Sequence, residues 1–283
     1  MATVSPFRGI LYNPDLFSSL DAVTAPPYDV ISPDYRDELY ERHPNNIIRL
    51  ILTKDRVEDN DESDRHHRAG QSYADWRAKQ VLVRDEQVAF YLQETAFSQD
   101  GRRFKRFGLI GLVRLEAFEK GIVLPHEKTF SKVKSERLGL MRHCHANFSP
   151  IFSLYADTRS AATGATIIDT LQKAAQDTPP FIETQDDQGH QHRLHRVIDP
   201  DVQAQIQAAF ADQRLYIADG HHRYETALNY RKWVAANDPD FGPDHPANFV
   251  LMYLASMQDP GMIILPAHRL LHQVPEEAID RML

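Results

Sequence analysis

The stretch that most constrains the fold begins at Leu215. An apolar run to Ala218 predicts a short buried strand, and Asp219 with Gly220 predicts a tight turn. The residues after the turn predict a helix that reaches about Ala236. A strand that runs through a tight turn into a helix leaves unpaired backbone N–H groups at the helix N-terminus.

Strand-like and helix-like patterns are mixed along the rest of the chain, which predicts an α+β (mixed α/β) fold class. Hairpins are predicted for Gln87–Thr95 with Phe104–Leu115 around the Gln99-Asp100-Gly101 turn, for Phe181–Val197, and for Asn248–Ser256 with Met262–Leu265. Single strands are predicted at Ile47–Leu52 and Phe148–Tyr155. Helices are predicted at Pro33–Arg42, Asp61–Gln80, Lys132–His143, Ala165–Gln176 and Pro200–Ala211.

The segment from Asp157 to Gly164 is small and polar, which favours a linker. It divides the chain into a predicted N-terminal lobe over residues 1–156 and a C-terminal lobe over residues 165–283. A helix-like pattern begins at Ala278, and no Gly or Pro stop follows it before Leu283. We therefore expect a C-terminal portion beyond this point.

Composition argues against several classes of function. Lys and Arg number 32 against 40 Asp and Glu, a net charge of −8, whereas nucleic-acid binding needs a basic face. Cys144 is the single cysteine and forms no internal disulfide. No secretory signal and no apolar run of about 18 residues occurs. We expect a cytoplasmic protein without a membrane or nucleic-acid partner; its oligomeric state stays open.

Phosphate binding is predicted from charge and not from glycine-rich loops, because only 12 of 283 residues are glycine and no glycine-rich phosphate motif occurs. Asp219 is expected to cap the helix, so that Gly220, His221, His222 and Arg223 follow in its first turn. Cationic side chains there oppose the helix dipole unless they surround an anion. The alternative is an ordinary helix start with solvated histidines.

A second group of reactive side chains is the loop His126-Glu127-Lys128-Thr129. It is not a zinc helix of the H-E-x-x-H type, because phenylalanine stands where the second histidine is required. His126 and Thr129 are candidate phosphate ligands, and Lys128 with Arg137 is a candidate lining of an anionic pocket. The alternatives are a loop salt bridge and a solvated helix face.

The Ala-Pro-Pro-Tyr-Asp-Val segment at residues 25–30 is rigid, and rigid loops orient side chains at little entropic cost. Asp29 is a candidate ligand for Mg²⁺ or for a substrate amine, and Tyr28 is a candidate pocket residue. Arg8 and Arg49 lie beside apolar residues and are candidates for the same pocket. The alternatives are a structural corner and buried ion pairs.

Several of these segments resemble known families. The strand followed by Asp-Gly-His-His-Arg resembles the nucleotide-binding element of ParB-like and sulfiredoxin-like folds, especially in the free-serine kinases built on that fold. Over nearly its whole length the chain is similar to a bacterial and archaeal family catalogued as a domain of unknown function, number one thousand and fifteen, whose members run longer. The matching segments are Phe7–Gly9, Ala25–Val30, His43–Asn46 with Arg49, Pro125–Glu127 with Thr129, Arg137–Leu138 and Asp219–Arg223.

The kinase resemblance implies nucleotide-dependent phosphoryl transfer to a small hydroxylated metabolite. Such kinases use a glutamate as the base on the acceptor hydroxyl, and Glu127 would take that role here. ATP or ADP would bind at residues 220–223, with Asp219 and His222 also catalytic. Mg²⁺ would bridge the phosphates near Asp219 or Asp29, and no zinc or haem is expected.

Two other functions stay open. One is a non-catalytic, ParB-like switch in which a bound nucleotide changes a partner interface. The other is a phosphoester hydrolase that uses the same histidines and acids. The acidic charge and the lack of an evident helix-turn-helix argue against a DNA-bound ParB role.

Three groups of histidines are predicted to be structural. His66 and His67 lie on a polar helix and are expected to be solvated. His190, His192 and His195 follow a hairpin turn without an evident carboxylate partner. Cys144, within the second group, is expected to be a small core residue. The groups are His66 with His67, His143 with His145, and His190 with His192 and His195.

Overall fold

The computed structural model describes residues 1–60, 64–129, 131–157, 164–176, 178–265 and 274. Its strands are β1 Val4–Ser5, β2 Ile10–Tyr12, β3 Leu82–Arg84, β4 Phe90–Gln99, β5 Arg102–Arg114, β6 Val123–Leu124, β7 Ile151–Tyr155, β8 Ile182–Gln185, β9 Gln191–Val197, β10 Leu215–Asp219 and β11 Phe249–Ser256. Its α-helices are α1 Pro33–Arg42, α2 Ile48–Ile51, α3 Arg65–Ala78, α4 Ser131–Cys144, α5 Ile167–Gln176, α6 Pro200–Ala211 and α7 His221–Asn237. Short 3₁₀ helices lie at Tyr28–Val30, Phe118–Lys120 and Pro246–Asn248.

One large mixed sheet organises the chain. Its strand order is β6-β10-β7-β11-β5-β4-β9-β8, and β1 pairs with the C-terminal end of β5. The β10–β6 and β11–β7 pairs are parallel, and the other neighbours are antiparallel. Strands from residues 1–156 and from residues 165–283 interleave in this sheet. The predicted mixed α/β class is confirmed, and both ranges contribute to the same sheet.

The β4–β5 hairpin has the turn that its sequence predicts. Gln99 pairs with Arg102, which leaves a two-residue loop of Asp100 and Gly101 with φ of 50° and 74°. Two consecutive left-handed residues are what a type I′ turn requires, and Asp-Gly favours them. These two long strands form the centre of the sheet on which the smaller elements assemble.

The main core joins the sheet to three helices. Ile206 and Phe210 of α6, Leu171 of α5 and Tyr224 of α7 are buried with sheet residues such as Leu92. Each large apolar side chain that is buried in this way contributes about 1.5–3 kcal/mol. Because α7 follows β10 directly, its packing holds the β10–α7 junction against the sheet.

Helix starts follow the capping rules that the sequence suggests. Ser32 accepts a hydrogen bond from the Tyr35 N–H at the start of α1, and Asp199 caps α6 in the same way. The helix predicted from Asp61 begins at Arg65, with Asp64 accepting N–H groups of its first turn. Residues 61–63 of that prediction lie outside the described residues.

Two predicted strands are wrong. Residues 48–51 form α2, because the buried Asn46 side chain accepts the Ile48 N–H at 2.9 Å and starts a helical turn. A short apolar run does not distinguish a strand from a buried helix. Met262–Leu265 is not a strand either, since β11 has β5 and β7 as its neighbours.

The predicted linker begins with a structural residue. The buried Asp157 carboxylate accepts the N–H groups of Ile167 and Ile168 at 2.8 and 3.0 Å and so caps α5. Burial raises the pKa of Asp157, although these hydrogen bonds oppose the shift. Residues 158–163 of the predicted linker lie outside the described residues.

Two expectations about histidines are also wrong. His66 and His67 are half-buried where α3 meets α4, with ring centroids 6.4 and 5.9 Å from that of His143. The histidines after the hairpin turn do have a carboxylate partner. Asp186 lies 3.1 Å from His190 and 3.0 Å from His192. Sequence reasoning missed this pairing, although Asp186 precedes His190 by only four residues.

Cys144 is buried in a cluster with residues of α3 and α4, as predicted. Within the described ranges, no helix has the length and apolar character needed to cross a membrane.

Candidate functional site

The site begins where β10 ends and α7 starts. Strand β10 extends through Asp219, so that Gly220, with φ of 96°, is the N-cap in place of the predicted Asp219. Its left-handed conformation favours glycine. Gly220 has no side chain to accept a hydrogen bond, so the N-cap residue itself supplies no side-chain cap to α7. The helix therefore presents its first turn of backbone N–H groups at the end of β10.

The Asp219 carboxylate is bound to the Arg223 guanidinium one turn along α7. Arg223 also donates to the Pro150 carbonyl oxygen just before β7. A Cβ atom on Gly220 would lie 2.9 Å from Arg223 Nε, so the guanidinium packs against the glycine backbone. In this conformation Arg223 ties α7 to two strand ends. Its predicted role as a direct phosphate ligand stays a prediction.

His221 is buried, 2% exposed, and both ring nitrogens have partners. Nε2 lies 3.2 Å from the backbone nitrogen of His126 and accepts its N–H. Nδ1 lies 3.2 Å from Glu127 Oε2 and must carry the ring proton. Burial lowers the pKa of His221 although the Glu127 carboxylate opposes the shift, so the ring is neutral near pH 7. His221 thus connects α7 to the loop that follows β6.

His126, unlike His221, is exposed to solvent. Its Nδ1 lies 2.9 Å from the Ile217 carbonyl oxygen, and because that oxygen only accepts, Nδ1 carries the proton. Nε2 then has a lone pair in a side chain that is 61% exposed, 3.9 Å from Glu127 Oε1. The His126 ring meets the His221 ring edge-on at 4.5 Å. A basic nitrogen and a carboxylate therefore lie together beside the start of α7.

The other end of this loop is held by Glu225, a residue that sequence reasoning missed. Thr129 Oγ1 donates to Glu225 Oε1 at 2.8 Å, and Lys134 Nζ lies 2.6 Å from Oε2. Burial favours a higher pKa for Glu225, but the bonds from Lys134 and Thr129 outweigh it and lower the pKa. Glu225 lies four residues after His221, so helical spacing was the available signal.

Lys128 is exposed in the same loop, and His222 is half-buried. Electrostatic interaction with His222 lowers the pKa of both His221 and Glu225, which indicates that the three side chains are neighbours.

The rigid segment 25–30 approaches this site from the other side. Arg137 stacks on the Tyr28 ring, 3.8 Å from its centroid, and donates to the Ile51 carbonyl oxygen at 2.8 Å. Burial raises the pKa of Tyr28, and the positive charges of Arg137 and Arg223 oppose that shift. Arg223 is therefore an electrostatic neighbour of Tyr28, next to the exposed Asp29.

Two predicted pocket arginines have contacts elsewhere. Arg49 donates to the Tyr40 carbonyl oxygen at 2.7 Å and stacks on the Tyr40 ring, so it joins α1 to α2. Arg8 donates to the Asp85 carbonyl oxygen at 2.6 Å and lines a large cavity. Neither contact involves residues 126–129 or 219–223.

The cavity, about 1680 Å³ in volume, is lined by sheet residues, the 25–27 segment and α7. Among the described residues that line it, none belongs to 126–129 or 219–223, although Pro150 borders both regions. The reactive side chains therefore lie outside this cavity. We assign the site by these side chains because volume alone supplies no chemistry.

The carboxylates available to a metal are few. Among the described residues, no group of three His, Cys, Asp or Glu side chains is arranged to bind a metal ion. Asp219 and Asp29 are both exposed, and Asp219 is paired with Arg223. Either carboxylate would supply only part of the oxygen ligands that Mg²⁺ requires.

A family model described as "Protein of unknown function (DUF1015)" matches residues 4–283. No curated protein and no solved structure matches the chain.

Proposed function

The chain belongs to the DUF1015 family, and we propose that it is a phosphotransferase that moves a phosphoryl group from a nucleotide to the hydroxyl of a small metabolite. The observation that carries the proposal is the 3.2 Å contact between Glu127 Oε2 and His221 Nδ1. It fixes a carboxylate beside the uncapped N-terminus of a 17-residue helix. Residues that are 94 positions apart in sequence thus combine a base with an anion-binding element.

The start of α7 supports phosphate recognition. Helices α1, α3 and α6 have their first N–H groups bound by Ser32, Asp64 and Asp199, whereas α7 has no side-chain cap. The N–H groups of a helix start and the positive end of the helix dipole favour a phosphate. The left-handed Gly220, against which the Arg223 guanidinium packs, forms the turn into this helix.

Glu127 is suited to the role of base. Its Oε2 accepts the Nδ1–H of the buried, neutral His221, which orients the carboxylate and leaves Oε1 toward His126. A carboxylate held in this way accepts the proton of an attacking hydroxyl as the phosphoryl group moves. Phosphoryl transfer depends mainly on positioning and charge neutralisation, which this loop and helix supply together.

The proposal also assigns roles to Asp219, Tyr28 and Asp29. Mg²⁺ would neutralise charge on the phosphate oxygens, with Asp219 or Asp29 as its protein ligands. Tyr28 and Asp29 lie near Arg223 and are candidates for binding the acceptor. The strand, left-handed glycine and long helix at residues 215–237 support the resemblance to ParB-like and serine-kinase nucleotide elements.

The test is product formation. The protein is incubated with ATP or ADP, Mg²⁺, and serine or a pool of hydroxylated metabolites, and phosphorylated products are detected by phosphorus NMR. Loss of a general base lowers the rate by about 10²–10⁴-fold, so that Glu127→Gln should nearly abolish product. Glu119→Gln, an exposed residue of the 118–120 helix, is the control and should retain activity. Equal activity in the two variants would refute the assignment of Glu127.

A phosphoester hydrolase is the second candidate, and the openness of the site favours it. The side chains of His126 and Glu127 are both 61% exposed, so water reaches the reacting groups. Sites that transfer phosphoryl groups to metabolites usually exclude water. If inorganic phosphate is released, and if adding metabolites does not lower the amount released, the result would support hydrolysis over transfer.

A further inference from the structure

We infer that His126 Nε2 is a nucleophile that receives the phosphoryl group and forms a phosphohistidine intermediate. This inference rests on the proposed function and goes beyond it, because Glu127 alone would support direct transfer. The observation is the bond from His126 Nδ1 to the Ile217 carbonyl oxygen, combined with an exposed Nε2 beside a carboxylate.

The tautomer of His126 is set by its partner. The Ile217 carbonyl oxygen, 2.9 Å from Nδ1, only accepts hydrogen bonds, so the proton is on Nδ1 and the lone pair is on Nε2. Ile217 lies in β10 and is itself buried, so the acceptor is rigid. The edge-on contact with the His221 ring at 4.5 Å limits rotation of the imidazole. The nucleophilic nitrogen is therefore directed outward in the reactive tautomer.

Two other nucleophilic groups at the site are occupied. Nε2 of His221 accepts the His126 N–H, and the ring is buried. The Thr129 hydroxyl donates to Glu225. His126 thus combines exposure with a fixed tautomer and a neighbouring carboxylate.

The chemistry balances without removal of a proton in the first step. The Nε2 lone pair attacks the terminal phosphorus of a nucleoside triphosphate or diphosphate, the bond to the bridging oxygen breaks, and the shorter nucleotide leaves with that electron pair. The imidazole, still protonated on Nδ1, becomes cationic. The Ile217 carbonyl oxygen and the Glu127 carboxylate, 3.9 Å from Nε2, stabilise this charge.

In the second step an acceptor hydroxyl attacks the phosphorus, and its proton passes to Glu127 Oε1. The N–P bond breaks, and its electron pair returns to Nε2. Water in place of the hydroxyl gives hydrolysis by the same route. His126 therefore receives the phosphoryl group whichever acceptor the protein uses.

The experiment needs no knowledge of the acceptor. The full chain is incubated with Mg²⁺ and either ATP labelled on its γ-phosphate or ADP labelled on its β-phosphate, and label bound to protein is measured after denaturation. We expect an acid-labile, alkali-stable label, the signature of an N–P bond, on the peptide that contains His126. His126→Gln should reduce it by at least about 100-fold, the scale on which loss of an essential catalytic group is felt. The control His143→Gln, an exposed histidine of α4, should retain it.

Three results would overturn the inference: label that persists in His126→Gln, label that is acid-stable, and nucleotide that binds by calorimetry without any labelling. The last result would leave the proposed function intact and indicate direct transfer. Absence of nucleotide binding would refute both. Thermal unfolding of His126→Gln checks that a loss of label is not a loss of fold.

Discussion

Replacement of Gly220 by alanine tests how closely the Arg223 guanidinium packs against the start of α7. An alanine at φ of 96° adopts a left-handed conformation that costs about 1–2 kcal/mol. Its Cβ would also lie 2.9 Å from Arg223 Nε and displace a guanidinium that binds Asp219 and the Pro150 carbonyl oxygen. That displacement adds about 1 kcal/mol, because the Asp219 partner is exposed to solvent. We expect Gly220→Ala to lower the free energy of unfolding by about 2–3 kcal/mol.

Urea unfolding followed by tryptophan fluorescence measures this change. The matched control is Gly121→Ala, because Gly121 also has a positive φ, 63°, but no described residue has an atom within 4 Å of the added Cβ. The control should lose only the backbone contribution, about 1–2 kcal/mol. When Gly220→Ala is introduced into the Arg223→Ala variant, the steric part of its effect on the free energy of unfolding should disappear. Equal destabilisation by Gly220→Ala and by Gly121→Ala would refute the packing of Arg223 on Gly220.

Three further predictions concern the neighbourhood of the site. Burial lowers the pKa of His221, while Glu127 and Asp219 oppose that shift and His126 and His222 add to it. The contacts of residues 126–129 should therefore be fully formed above pH about 6.5 and weaken as the pH falls further. Protection factors of these amides, corrected for the intrinsic pH dependence of exchange, should fall with pH; protection factors that do not change with pH would contradict this. Glu225→Gln should weaken the bonds from Thr129 and Lys134 and increase trypsin cleavage after Lys128, whereas Glu119→Gln should not. Burial raises the pKa of Cys144 to about 12, so a thiol reagent near pH 8 should modify it only after unfolding; rapid labelling of the folded protein would show that it is accessible.

Local signals in the sequence were enough to predict several elements. The helices predicted at Pro33–Arg42 and Pro200–Ala211 have these bounds in the structure, and Asp100-Gly101 forms the predicted turn. These features depend on neighbours within four residues. Residues 48–51 were mispredicted because their apolar run resembles a strand, while the deciding contacts of Asn46 reach back to Ala22 and Thr24.

The residue types of the candidate site could be predicted from the sequence, but their arrangement in space could not. The sequence identifies 126–129 and 219–223 as reactive segments, but their contact is set by the parallel pairing of β6 with β10. That pairing brings His126 to Ile217 and His221 across more than 90 residues. The N-cap was mispredicted because Asp219 pairs with Arg223, and a salt bridge within one turn competes with capping for the same carboxylate.

Amide hydrogen exchange with and without bound nucleotide tests the central claim most directly, because it locates the phosphate-binding element. With saturating ATP and Mg²⁺, exchange should slow at residues 126–129 and 220–224. The N-terminus of α6, already capped by Asp199, should be unchanged. Protection confined to the residues that line the large cavity, or none at saturation, would contradict phosphate recognition at the start of α7.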